Sequence, residues 1–197
     1  MWLVPTRGSG RSSSLLEAAA PALVTPPPAE RRLAVRSAPE PNGESSDPVS
    51  GDSDGWWLLG AHGGAGVTSL RRCGVTGGDA ERTWPTTGHV VVVARRTASG
   101  LEWARDAARQ HAAGLTPSEV TLAGLAVVAD APGRCPPRVV AFLDLVSAAF
   151  PHLWEVPWVE EWRLAGQGEV MPMPPAAKQL DVDLQTLHGA CPPREEE

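Results

Sequence analysis

Leu59-Gly60-Ala61-His62-Gly63-Gly64-Ala65-Gly66-Val67-Thr68-Ser69-Leu70 follows the apolar run Trp56-Trp57-Leu58-Leu59 and opens a predicted helix. A glycine-rich turn between a strand and a helix is where a phosphate cradle is built. Glycines let backbone N–H groups approach an anion closely, and the helix N-terminus adds a favourable dipole. A hydroxyl just after the turn, here Thr68 or Ser69, suits a magnesium ion. The candidate anion-binding residues are therefore Gly63, Gly64, Ala65, Gly66, Val67, Thr68 and Ser69, with Thr68 as the candidate magnesium ligand.

Downstream, the chain alternates in type. Val90–Val93 is a β-branched run suited to a buried strand. Ser99-Gly100-Leu101-Glu102 has the spacing of a capping box, and a helix follows with Leu101, Ala104, Ala108 and Ala112 on one face, stopped by Gly114. Leu122–Ala129 reads as a second buried strand ending at Asp130. Pro136-Pro137 precede a helix with Val139, Leu143, Val146 and Phe150 at core spacing, and Leu153–Val156 is a last short strand. Strands alternating with helices predict an α/β fold: a three-layer, P-loop/Rossmann-like, mostly parallel sheet of about four strands, helices on its faces. The continuous apolar strands fit a sheet covered on both sides.

Ala61 through Thr68 resembles the deviant Walker A loop of ParA/MinD-type ATPases, which reads x-K-G-G-x-G-K-T. The glycines fall at Gly63, Gly64 and Gly66 and the hydroxyl at Thr68. The later strands and helices are similar in order to that superfamily. More closely, the core over about residues 56–164 resembles an uncharacterised family of small actinobacterial proteins with the same degenerate loop. Two departures stand out. The signature lysine is His62, and the phosphate-binding lysine is Val67. The strand Val90–Ala94 ends in Arg95-Arg96, where the resemblance would place a magnesium-binding aspartate. Asp130 matches that superfamily's base-contacting region by its order in the chain. The resemblance thus implies a non-catalytic, pseudo-NTPase module that binds ATP or GTP with magnesium weakly or not at all. Such a module acts through a protein partner, of which a ParA/MinD-like ATPase is the implied example.

Arg95, Arg96 and Arg134 follow predicted strand ends, on the side where open α/β sheets bind ligands. Arg95 and Arg134 are the candidates to replace the missing lysine charge. Two other readings stay open. Gly64–Ser69 also fits a G-x-G-x-x-G variant, with Arg95-Arg96 where an NADP enzyme holds a 2′-phosphate. Alternatively, the loop is only a tight turn in a structural interaction domain. His62 and His111 read as ordinary loop and helix histidines. Trp158 and Trp162 read as packing at the sheet edge, and Glu160-Glu161 as a solvated face.

The net charge of −6 argues against direct nucleic-acid binding. Tryptophan is frequent, tyrosine absent and lysine confined to Lys178, a bias of the kind produced by a high-GC bacterial genome. Cys73, Cys135 and Cys191 are far apart and form no CxxC pair, which argues against a disulfide framework or zinc site and fits reduced thiols in the cytoplasm. No apolar run is long enough for membrane insertion, and Met1–Ser9 lacks the pattern of a secretory signal. Composition divides the chain into a disordered N-terminal tail (1–54), the α/β domain (55–165) and a Pro-rich, acidic C-terminal tail (166–197). Leu15–Ala20 is expected to form at most a transient helix.

Overall fold

The computed structural model describes residues 25–35, 55–166 and 168–189. A short 3₁₀ turn, Ala29–Arg31, leads to β1 (Ala34–Val35). The domain proper runs β2 (Trp56–Gly60), α1 (Val67–Arg72), β3 (Gly78–Asp79), β4 (Thr83–Trp84), β5 (Thr87–Arg95), α2 (Ala98–Ala112), β6 (Glu119–Val128), α3 (Pro137–Ser147), β7 (Leu153–Val156), α4 (Glu160–Leu164) and α5 (Pro175–Gly189). The main sheet has five strands in the order β3-β2-β5-β6-β7, all parallel. The expected α/β architecture is present, with one strand more than about four. The extra strand, β3, has two residues, too few to show a period. β1 and β4 form a separate two-stranded parallel pair.

Numbered within the main sheet, the order is 2-1-3-4-5. The chain leaves β2 to one side and then crosses to the other, so the order reverses between β2 and β5. Such a switch point opens a crevice at the carboxyl ends of the strands. The glycine-rich loop leaves β2 at that position.

Alternation along the strands builds two cores. On β5, Val90, Val92 and Ala94 face one cluster, which includes Leu101 and Ala104 of α2 and Leu143 and Val146 of α3. Val91 and Val93 face the other, with Val67 and Leu70 of α1 and Leu180 and Leu184 of α5. A bulge shifts the β5–β6 register between Val90 and Val91, whose partners are Leu122 and Gly124. The extra residue, Ala123, exchanges the faces of β6: Leu122 and Leu125 belong to one cluster, Ala123 and Ala126 to the other. Gly124 is required there, because a Cβ would lie 2.5 Å from the Trp154 ring and 2.7 Å from the His152 carbonyl.

Three expectations need correction. The α2 cap is Thr97, whose hydroxyl accepts from Gly100 N at 3.0 Å, and Ser99 lies within the first turn. The Ser-x-x-Glu spacing was matched two residues late. The C-terminal segment is not an unpacked tail: Met171, Ala177, Leu180 and Leu184 are buried against the sheet. Its apolar residues recur at three- and four-residue spacing behind a Pro-rich stretch that masked the pattern. The N-terminal segment is also packed in part, since Leu33 is buried and β1 pairs with β4. Residues 1–24, including Leu15–Ala20, and 190–197 lie outside the described residues. Among the described residues no helix is long and apolar enough to cross a membrane.

Candidate functional site

The loop begins where β2 ends. Gly60 N donates to the Glu81 carbonyl at 2.8 Å, and Ala61 N to the Val93 carbonyl at 2.9 Å. These bonds fix the strand end against the β3–β4 turn and against β5. Gly64 (φ 76°) and Gly66 (φ 113°) turn the chain through the left-handed region. At Gly66 a Cβ would also stand 3.0 Å from Val128 Cγ2, so glycine is required on two counts. On either side of it Ala65, Val67 and Leu70 plug into the core, while Thr68 is exposed and Ser69 half-buried.

The loop walls a cavity of about 320 Å³. It is lined by Gly60, His62 through Ser69, Asp79, Glu81, Arg82 and Arg95. The structure therefore brings every candidate loop residue and Arg95 to one cavity at the switch point. Asp79, Glu81 and Arg82 are additional wall residues that the sequence reading missed. The polar stretch after Gly77-Gly78 was a signal for a turn, but nothing in it told that the turn would fold back onto the loop.

The cations of this cavity are already engaged. Arg95 Nε donates to the Gly64 carbonyl and its Nη1 to the Ala129 carbonyl, each at 3.0 Å. The Arg95 backbone N–H donates to His62 Nε2 at 3.2 Å, and His62 Nδ1 lies 2.8 Å from the Gly63 carbonyl. A backbone amide can only donate, so His62 accepts at Nε2 and donates from Nδ1. His62 is thus a strut tying the loop to the end of β5. Val67 is 8 % exposed and packs in the core. Arg82 stands over the Trp103 ring, 5.7 Å from its centroid. Opposite, the Asp79 carboxylate accepts from Glu81 N at 2.7 Å and lies 3.9 Å from Arg71.

Arg134 and Asp130 are not brought to the loop, a correction to their grouping with it. They line a separate cavity of about 300 Å³ with Arg96, Thr97, Cys135 and Val139, between the starts of α2 and α3. They follow the end of β6, which lies on the far side of β5 from β2. Arg96 pairs with Glu155 at 3.2 Å. Trp158 donates to Glu160 and Trp162 to the Pro172 carbonyl, each at 2.8 Å, beside a third, smaller hollow that Arg95 also lines. His111 stacks on buried Trp84 with centroids 5.9 Å apart and lies 3.0 Å from Thr116 Oγ1. Among the described residues, no group of three or more His, Cys, Asp or Glu side chains is placed to hold a metal ion.

A family model described as a family of unknown function, DUF6668, matches residues 54–177. No match was found among curated proteins or among solved structures. The matched segment runs from the start of β2 into α5 and contains the whole glycine-rich loop.

Proposed function

This chain belongs to the DUF6668 family of unknown function, and we propose that it is a non-catalytic, phosphate-loop-like module, a pseudo-NTPase that acts through a protein partner. One observation supports the reading: the loop turns through two left-handed glycines at a cavity on the switch point, yet neither position where the resemblance expects a lysine offers one. Arg95 is held by two carbonyls, His62 is held between the Arg95 amide and the Gly63 carbonyl, and Val67 is part of the core. Asp79 and Glu81 add negative charge to the facing wall. Phosphoryl transfer rests on positioning and charge neutralisation, and here Asp79 and Glu81 offset the charges of Arg82 and Arg95 while the loop holds no lysine. Affinity for ATP or GTP is accordingly weak or nil. By the resemblance of the loop, the partner is an intact ATPase of the ParA/MinD type. The nicotinamide alternative has less support, because Arg95 and Arg96, the pair that would hold a 2′-phosphate, are bound to carbonyls and to Glu155.

The test is a thermal-shift panel with ATP, GTP, ADP and NADPH, with and without magnesium, alongside a phosphate-release assay. A ligand at 100 times its dissociation constant stabilises by about 2.7 kcal/mol, so tight binding is visible as a shift. The expected result is no clear shift and no phosphate release above background. Magnesium-dependent release that Thr68→Ala abolishes would show a working NTPase, and an NADPH shift without an ATP shift would favour the oxidoreductase reading.

A further inference from the structure

Residues 25–35 lie as a strap across α2 and are gripped like a bound peptide. Gln110, 2 % exposed, uses both ends of its side-chain amide on one strap residue. Its Oε1 accepts from Leu33 N at 2.9 Å, and its Nε2 donates to the Leu33 carbonyl at 2.8 Å. The Leu33 side chain is 4 % exposed within the cluster that contains Trp84, Ala104 and Ala108. Two residues earlier, the Arg31 guanidinium lies 3.0 Å from Glu102 and 3.4 Å from Asp106, and stands over the Trp103 ring at 5.9 Å. Arg109 Nε donates to the Thr25 carbonyl at 2.9 Å, and β1 adds Ala34 and Val35 as a strand beside β4. Main-chain pairing with pockets for alternate side chains is how proteins recognise extended peptides.

Two further facts separate the groove from its occupant. The family match, 54–177, contains every groove residue on α2 and β4 and none of the strap. The groove's buried carboxylate also keeps partners without the strap. Asp106, 1 % exposed, has Arg109 at 3.4 Å and Arg105 at 3.7 Å from its own helix. Gln110 Nε2 has the Leu115 carbonyl at 3.5 Å, and its Oε1, which accepts from Leu33 N, is the one group that needs a new partner, the backbone N–H of an incoming segment or water. Emptying the groove therefore leaves no buried charge unpaired, the condition that would make departure of the strap costly.

We propose that the groove between α2 and β4 is a docking site for an extended segment of a partner protein, with an arginine two residues before a leucine. The strap Thr25–Val35 is its covalently attached occupant, and the partner segment replaces it. This rests on the partner-dependent role proposed above and gives that role a surface away from the glycine-rich loop. The ligand is set by the chemistry: an acidic pair and an aromatic face for the guanidinium, a buried apolar seat for the leucine, and an amide clamp that reads only backbone. A tethered occupant competes at an effective concentration on the order of millimolar, so the resting protein resists weak ligands.

The probe is a fluorescein-labelled peptide of residues 25–35, added to the full chain and followed by anisotropy. The wild type should bind it poorly. Leu33→Asp, which weakens only the attached strap, should bind it tighter by a factor of about 10². Adding Gln110→Ala to that variant should abolish the gain. A Leu33→Asp chain that keeps its wild-type circular dichroism and still does not bind the peptide would overturn the proposal. If Leu33→Asp does not fold, amide exchange of the wild type decides. Leu33 N–H exchanging much faster than the β5 amides shows a strap that opens by itself, and exchange at the β5 rate shows an integral part of the core and ends the proposal. Nucleotide turnover in the earlier assay would remove the non-catalytic reading and leave the peptide result standing, so the two failures are distinguishable.

Discussion

His111 shows how one side chain couples packing to pH. Its ring lies against Trp84 and within reach of Thr116, and burial pushes the imidazole below its ordinary value. The unfolded chain takes up a proton near pH 6.5, and the folded chain takes it up only at lower pH. Stability rises with pH wherever the unfolded state binds more protons. The His111 contribution is therefore fully present above about pH 6.5 and is lost as pH falls through the folded value. The urea midpoint of the wild type should fall between pH 7 and pH 5 by more than that of His111→Gln. Equal falls would mean that this imidazole is not shielded. At the same scale, His62 was legible only as a histidine in a glycine-rich loop. Its role as a strut was not, since Arg95 N, which it accepts from, lies 33 residues further along the chain.

At the scale of elements, α2 tests how far local motifs reach. Thr97 caps the helix, and Ser99 does not. Thr97→Ala should cost about 1 kcal/mol, and Ser99→Ala close to nothing, measured by chemical denaturation. The reverse order would restore the capping box as first read. Helix α5 gives the sharper contrast. Leu180 is 0 % exposed and Leu184 is buried beside it, in one cluster with Val91 and Val93 of the central strand. Leu180→Ala should cost about 2–5 kcal/mol, whereas an idle tail would show no change in the denaturation midpoint. The apolar spacing of α5 was present in the chain, but spacing marks only a helix with one apolar stripe. A free sheet face was needed to give that stripe something to cover, and Asp183, which accepts from Trp154 Nε1 at 2.8 Å, helps hold it there.

Across the whole molecule, periodicity and β-branched runs by themselves determined β2, β5, β6, β7, α2 and α3, and hence the parallel α/β class. They could do so because each signal is a property of neighbours in the chain, repeated over enough residues to exceed chance. The glycine-rich turn was legible for the same reason, since its dihedral demands are local. Strand order was not. It depends on which side of β2 the two-residue β3 falls, and through that it decides which loops meet at the switch point. The tertiary structure alone brought Asp79 and Glu81 to the loop, sent Asp130 and Arg134 to another cavity, and folded residues 25–35 onto α2. Those placements are set by contacts between segments distant in sequence, whose favourable burial exists only once the sheet has formed and offers a surface to bury against.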